Sequence, residues 1–320
     1  MSLSSSSFFL ARMVFLRAVA FVYGVAFLVA LQQNKGLIGD YGITPARQIL
    51  DQAEKRGRFT RQERQEWAQE YSHTWGRWKR FWNTNPKVQS VREVLWDRAD
   101  RLNRPVTTLL WLAKDRSHLN KWLDGIALAG ILIALPIVWG GAANVPLLLG
   151  LWVCQRSLMA VGGPWYGYGW EPQLAELGFH ALFLVPLLSL SPTYSQPPLA
   201  VIYTIRWYLF KIMMGAGLIK FKSRDRKWKD LSAMDSFYET QPVPNPFSRY
   251  FHWYSPHKFE VLVNHFVEVV APFLLLIPEK TARRTGGLIQ IGFQTLLILS
   301  GNLSFLNWLT MVRLQSHTGS

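Results

Sequence analysis

Ionisable side chains inside apolar stretches are the first places to look for chemistry. A charge in such surroundings is costly and needs a partner or a task. Glu176 and His180 lie four apart in the apolar stretch 173–190, so they share one face of a helix. They are functional candidates, or else a structural pair, Glu176 with His180 or Glu176 with Arg156. Arg156 follows Gln155 in the middle of the stretch 145–161, where it must pair, snorkel or face water. Read together, Arg156, Glu176 and His180 would suit a small-solute transporter with a polar cavity between its spans. His265 and Glu268 lie three apart near the start of the stretch 261–277. A His-x-x-Glu pair lacks the third ligand and the outer hydrogen bonds of a zinc site, so no metal and no other cofactor is expected. Seven scattered His support no Ser/His/Asp arrangement, and no phosphate-binding loop or internal repeat is present. The one cysteine, Cys154, excludes an intrachain disulfide and reads as a small packing residue.

The elements that hold these residues are apolar blocks separated by charged loops. The 320 residues are 49% hydrophobic, yet the mean hydropathy is only +0.07. That average hides blocks of membrane-spanning length, as a soluble chain would not cluster its apolar residues so strongly. Many of the 15 Trp sit at block edges, among them Trp122, Trp139, Trp152, Trp165, Trp170 and Trp207, as in interfacial belts. The net charge of +15 raises nucleic-acid binding. No nucleic-acid module accompanies it, and the Lys and Arg residues flank apolar blocks, so anionic lipid is the expected partner and nucleic acid is not.

The pattern predicts an all-α, multi-pass transmembrane bundle of five to seven spans with amphipathic and Pro-rich loops. Residues 1–10 are Ser-rich and expected to be disordered. A first span, 11–31, shows no cleavage site and reads as a signal anchor. A long polar loop, 32–121, follows. Within it, Phe59, Trp67, Tyr71, Trp75, Trp78 and Trp82 recur at helical spacing and predict an amphipathic helix over 51–82. Val106–Leu112 predicts a short turn of helix at the membrane surface. The membrane bundle 122–219 holds spans at Trp122–Trp139, Val145–Val161, Gln173–Leu190 and Leu199–Ile219, the last containing Arg206 and Lys211. A structured loop fills 220–260. Its prolines Pro242, Pro244 and Pro246 predict a rigid extended strap over 240–246. The C-terminal membrane part, 261–312, holds spans at Val261–Ile277 and Leu288–Ser300 around a short basic loop, 279–287. The run 301–312 re-enters the membrane or extends the span, and 313–320 is a tail. Asn302-Leu303-Ser304 matches a glycosylation sequon, which membrane depth would keep unmodified.

Several motifs, in order, resemble the lipase maturation factor family. WYGYGWEPQLAELGF (165–179) carries Trp170, Glu171 and Glu176. GAGLIK (215–220) carries Lys220, and YETQPVPNP (238–246) carries Tyr238, Glu239, Gln241, Pro242, Pro244, Asn245 and Pro246. NHFVEVVAPFLL (264–275) carries Asn264, His265 and Glu268, and GNLSFLNWLTMV (301–312) carries Asn302 and Asn307. The resemblance runs from about Phe15 to Val312, apart from a stretch near 52–105 that reads as an insertion of unknown role. It implies an endoplasmic-reticulum membrane protein that helps secreted lipases such as lipoprotein lipase reach their active form, without catalysis of its own. It also implies a cytosolic N-terminus, a lumenal 220–258 loop, and membrane lipid and secreted lipase clients as partners. Family members continue into a further, largely soluble lumenal region thought to engage the client. The sequence stops at Ser320, so the expectation is of the family's membrane portion.

A second, shorter resemblance points to an enzyme. AGLIKFKSRDRKW (216–228) is similar to a segment of the vitamin K-dependent gamma-carboxylase in which a lysine acts as catalytic base. The equivalent would be Lys220, with Ile219 in place of that motif's preceding lysine. Lys222, Arg224 and Lys227 lie close by, and Lys220 reads equally as a lysine snorkelling from the end of a span.

Overall fold

The computed structural model describes residues 7–55, 106–113, 116–190, 198–240 and 245–318. No strand occurs among them, and the fold is all-helical. The helices are α1 (Ser7–Ile38), α2 (46–55), α3 (Leu119–Gly140), α4 (Val145–Val161), α5 (Trp170–Ala181) and α6 (Leu199–Lys222). After them come α7 (Met234–Phe237), α8 (Ser248–Tyr254), α9 (His257–His265), α10 (Lys280–Ser300) and α11 (Leu306–Thr318). Most of the amphipathic helix expected over 51–82 lies outside the described residues.

Among the described residues three helices are long and apolar enough to cross a membrane: α1 from Ala11 to Ile38, Arg116–Gly140 including α3, and α6. Leu128, Leu132, Leu135 and Trp139 lie outward along α3, a helix apolar on its outer as well as its inner face. The other expected spans differ in build. α4 matches its expected bounds but is 17 residues long, roughly 25 Å against a hydrocarbon core of about 30 Å. The stretch expected to run as one helix to Leu190 is α5, of 12 residues, and a short 3₁₀ turn, Leu182–Leu184. Pro186 explains the stop, because it pushes the residue before it, Val185, into extended backbone (φ −119°, ψ 156°).

The stretch expected as a continuous span at Val261–Ile277 is also broken. α9 passes into a π turn, Phe266–Val270, and then a 3₁₀ turn, Ala271–Leu275. Pro272 has no N–H to give the carbonyl four residues back, and its ring crowds that carbonyl. The backbone widens instead: the Ala271 N–H donates to Phe266, five residues back. The basic stretch expected as a loop at 279–287 is helical from Lys280. Glu279 stands just before α10 and its carboxylate accepts the N–H groups of Thr281 (2.7 Å) and Ala282 (2.6 Å). That cap offsets Arg283 and Arg284, whose charges oppose the helix dipole. α1 likewise begins at Ser7, inside the stretch expected to be disordered.

The chain divides into two compact units, Met1–Phe27 with Ala129–Trp152 and Tyr168–Ser320, and Leu28–Leu128 with Val153–Gly167. In the larger unit Tyr23 is fully buried and donates to the Leu174 carbonyl of α5 (3.2 Å). Trp152 Nε1 donates to the Ala175 carbonyl (2.8 Å), and Gln173 of α5 donates to Thr310 of α11 (3.1 Å). Leu209 and Met213 of α6 pack with Val267, Leu275 and Phe293. In the smaller unit Asp40 accepts the N–H groups of Leu119 (3.0 Å) and Asn120 (3.3 Å), while the Asn120 side chain accepts from the Asp40 N–H (2.9 Å). Arg116 bonds Asp51 (2.8 Å) and Glu54 (2.9 Å). Val106–Leu112 contains the expected short turn, a 3₁₀ segment at Leu109–Leu112 capped by Thr108. Cys154 is buried, as a packing residue should be.

The two backbone N–H donors hold the Glu279 carboxyl below its usual range. A carboxyl whose pKa falls on folding adds stability above its unfolded pKa, and that contribution disappears as pH drops through the folded value. Glu279→Ala should therefore lower the melting temperature in detergent at pH 7 and change little at pH 3. An equal loss at both pH values would remove the carboxylate cap from the account.

Candidate functional site

Lys220 is the centre of a cluster that brings together the candidates Asn264 and Glu268 and, through Trp228, His265. It lies in the last turn of α6, where a cation suits the helix dipole. Its Nζ lies 2.6 Å from both carboxylate oxygens of Glu268 and 2.6 Å from Asn264 Oδ1. The side chains are 18% and 7% exposed for Lys220 and Glu268, so water screens this pair weakly. Nζ also lies 4.5 Å from the ring centre of Trp228. An ammonium has three N–H donors and no acceptor. Here three carbonyl or carboxylate oxygens and an aromatic face surround it.

Glu268 reaches Lys220 because of two backbone features. The π turn re-aims the helix at Glu268, in the last positions before Pro272. Gly217 lies one turn before Lys220, and a Cβ there would meet Val269 and the Cβ of Glu268. Glycine is therefore what allows α6 and the π turn to approach. Gly215, in the same GAG motif, has open space where its Cβ would be. The two glycines look alike in sequence, and only Gly217 is needed for packing.

His265 and Glu268 share a helical face but turn to different partners. His265 Nε2 lies 3.0 Å from the Trp228 carbonyl, and its ring stacks on Phe221 at 4.5 Å. Trp228 is thereby held by its carbonyl on one side while its ring covers Lys220. Among the described residues no group of three or more His, Cys, Asp and Glu converges in a way that could hold a metal.

The loop beyond Lys220 has a core of its own, of Ala233, Met234 and Val261 packed with Trp228, Leu231, Phe237 and Tyr238. Tyr238 donates to Glu260 (3.0 Å), and Glu239 lies 3.2 Å from His252 Nε2. Burial, and then the Glu260 charge, push the Tyr238 hydroxyl well above its ordinary pKa. Gln241, Pro242 and Pro244 of the expected strap lie outside the described residues. Asn245 is described, and it clamps the end of α10. Its Nδ2 donates to the Ile298 (3.1 Å) and Gly301 (3.0 Å) carbonyls while its Oδ1 accepts from the Phe247 N–H (2.9 Å). Ser248, shortly after Pro246, adds a bond to the Ser300 carbonyl (2.9 Å).

The remaining candidates stand apart from Lys220. Glu176 takes neither expected partner: its carboxylate lies 2.7 Å from Lys211 Nζ. His180 Nδ1 lies 2.7 Å from the Glu176 backbone oxygen instead. The signal for the Lys211 pair was present in the sequence, since two opposite charges in neighbouring apolar stretches each need a partner. Arg156 donates to Met159 sulfur (3.3 Å). Trp170 stacks on Tyr168 at 4.6 Å, and Glu171 is buried in the first turn of α5. Asn302 is exposed and accepts from the Ser304 N–H (3.0 Å), closing a turn in which Ser304 adopts φ 53°. Asn307 is 2% exposed in the first turn of α11.

Against this geometry the comparisons with known proteins are decisive. The protein-family model for the lipase maturation factor transmembrane domain matches residues 10–79 and 84–317. The chain belongs to the lipase maturation factor family. It is 43% identical to lipase maturation factor 1 of Bos taurus over 316 residues, 97% of this chain and 49% of that protein. The identity to the Homo sapiens protein is also 43%, over 97% of this chain and 48% of the relative. Lipase maturation factor 2 of Mus musculus is 31% identical over 94% of this chain and 39% of its own length. The chain thus spans about half the length, or less, of these curated relatives. No solved structure matches it. The family match also corrects one expectation: it runs through most of 52–105 and leaves only 80–83 unmatched, so that stretch is part of the family pattern and not an insertion.

Two tests follow from the site. Gly217→Ala should destabilise the protein in detergent by about 1–3 kcal/mol through overpacking against Val269, while Gly215→Ala should be neutral or slightly stabilising. Equal effects would show that the approach of α6 to the π turn is looser than described. Lys220→Met alone should cost about 3–5 kcal/mol by stranding a buried carboxylate, and adding Glu268→Leu should recover most of it. Additive losses on thermal unfolding would mean that the two side chains are not coupled.

Proposed function

We propose that this chain is the membrane portion of an endoplasmic-reticulum factor that assists folding, assembly and export of secreted lipases such as lipoprotein lipase. The match to the family's transmembrane domain along nearly the whole chain carries this reading. The N-terminus lies in the cytosol, α6 delivers the 220–260 loop to the lumen, and Lys220 fixes that loop to the bundle. Exposed aromatics on and around α8, namely Phe247, Tyr250, Trp253 and Tyr254, suit contact with a client's apolar surface.

The reading is of a factor without catalysis of its own. A lysine base needs a free lone pair directed at a substrate. The Lys220 nitrogen is instead surrounded by Glu268, Asn264 and Trp228, an arrangement that uses its N–H donors to hold the structure together. Arginine separates the two roles, because it keeps the cation and cannot act as a base.

The experiment restores the 320-residue chain to cells lacking their own maturation factor and measures active lipoprotein lipase in the medium. Wild type should restore secretion, Lys220→Arg should retain most of it, and Lys220→Ala should lose it together with protein level. Loss of secretion in Lys220→Arg at normal protein level would favour the enzymatic reading. A chain that reaches the membrane and restores nothing would show that the lipase role does not reside in this half of the family's sequence.

A further inference from the structure

The 220–260 loop contains a histidine whose hydrogen bonds call for a particular protonation state. His257 opens α9, and its side chain is 18% exposed. Its Nδ1 lies 3.0 Å from Asp235 Oδ1 on α7, and its Nε2 lies 3.0 Å from the His252 carbonyl of α8. A carboxylate and a backbone carbonyl both accept hydrogen bonds, and neither donates. A neutral imidazole has one N–H, so either tautomer sets a bare ring nitrogen against one of these oxygens. The imidazolium, with two N–H groups, donates to both.

The neighbouring histidines make no such demand. His252 Nε2 lies 3.2 Å from Glu239, and its Nδ1 is buried with no hydrogen-bond partner. His265 places Nε2 at the Trp228 carbonyl and likewise leaves Nδ1 buried without a partner. Each suits a neutral ring with its proton on Nε2. The His252 and His257 rings are 5.7 Å apart, so a charge on His252 would oppose one on His257. Of the other ionisable groups on these elements, Tyr238, whose ring is 6.1 Å from that of His257, donates to Glu260. Arg249 lies over the Trp253 ring at 4.2 Å, and Lys258 is exposed.

His257 stands where three short elements meet. α7 has only four residues, too few to hold its own shape. It is fastened by the packing of Met234 with Ala233 and Val261, by the Lys227 bond to Ser236 (3.0 Å), by the Tyr238 bond to Glu260 and by the Asp235 contact with His257. Lysine, tyrosine and carboxyl groups ordinarily titrate outside pH 5–8, and histidine within it. We propose that His257 is a proton-operated latch, which fastens α7 to the corner between α8 and α9 when the ring is doubly protonated and releases it when the ring is neutral. The latch closes as pH falls and opens as pH rises, the reverse of the Glu279 cap. It is independent of the lipase reading.

Hydrogen exchange of the 320-residue chain in detergent tests it, read on peptides covering 232–240 and corrected for the intrinsic rate at each pH. The Asp235 and Thr240 amides report on α7, because they bond the Ser232 (3.1 Å) and Ser236 (3.2 Å) carbonyls. In wild type their exchange should rise about tenfold between about pH 5.5 and about pH 8.5, as a charge-assisted hydrogen bond is lost. Asp235→Asn is the deciding variant. Its side-chain amide can donate to Nδ1 while a neutral His257 donates from Nε2, so both contacts survive without the second proton. That variant should keep α7 protected at both pH values, whereas His257→Ala should exchange at the open rate at both. Were His257→Ala not to fold, wild type against Asp235→Asn would decide. Equal protection of wild type at both pH values, or an Asp235→Asn chain that opens with pH as wild type does, would overturn the proposal.

Discussion

The ion pair between Lys220 and Glu268 is the constraint on which the rest of the C-terminal bundle depends. Neither charge is tolerable alone where it lies, so the two elements that carry them must meet. Their meeting fixes three other features. α6 must present a glycine at Gly217, the helix after α9 must widen into a π turn, and Trp228 must fold back over the ammonium. The loop after α6 is tied to the same point through the His265 bond to the Trp228 carbonyl. A lysine at a helix end often does no more than reach for water. This one closes a junction between α6, the π turn and a loop.

Charge neutralisation divides the molecule into satisfied and unsatisfied ends. Along α6, Lys211 and Lys220 each find a carboxylate on a neighbouring element, while Arg206 finds none among the described residues. The same helix therefore carries two completed ion pairs and an arginine whose buried Nε has no hydrogen-bond partner. The acids that complete the two lysine pairs, Glu176 and Glu268, come from α5 and from the π turn.

Much of this was legible from residue types. The apolar blocks located α3, α4 and α6 to within three residues, while α1 runs on to Ile38, past the expected end at 31, because hydrophobic length is a strong signal and the polar residues after it are not. The motif residues Lys220, Asn264, His265 and Glu268 were all singled out. Their convergence was not visible, because it needs a helical register that changes at Pro272, and a regular 3.6-residue period assigns His265 and Glu268 to one common task. The breaks at Pro186 and Pro272 were spelled out by proline, yet the surrounding hydrophobicity outweighed them in the reading. The charges at 280–284 suggested a loop, while the cap that makes them helical depends on one side chain, Glu279. The partner of Glu176 was missed for a simpler reason: helical spacing favours His180, and tertiary packing supplied Lys211.

The clamp at Asn245 has a consequence for how the loop can move. Asn245 and Ser248 hold the carbonyls of Ile298, Ser300 and Gly301, where α10 ends and the chain turns toward α11. Shifting residues 245–248 strips three acceptors of their donors, and each such loss in a buried setting costs on the order of 1–3 kcal/mol. The 220–260 loop and the α10–α11 turn are thus thermodynamically linked. A ligand that displaced one would have to unfasten the other, so an event at the loop would be felt in the helical bundle as a change in where α10 stops.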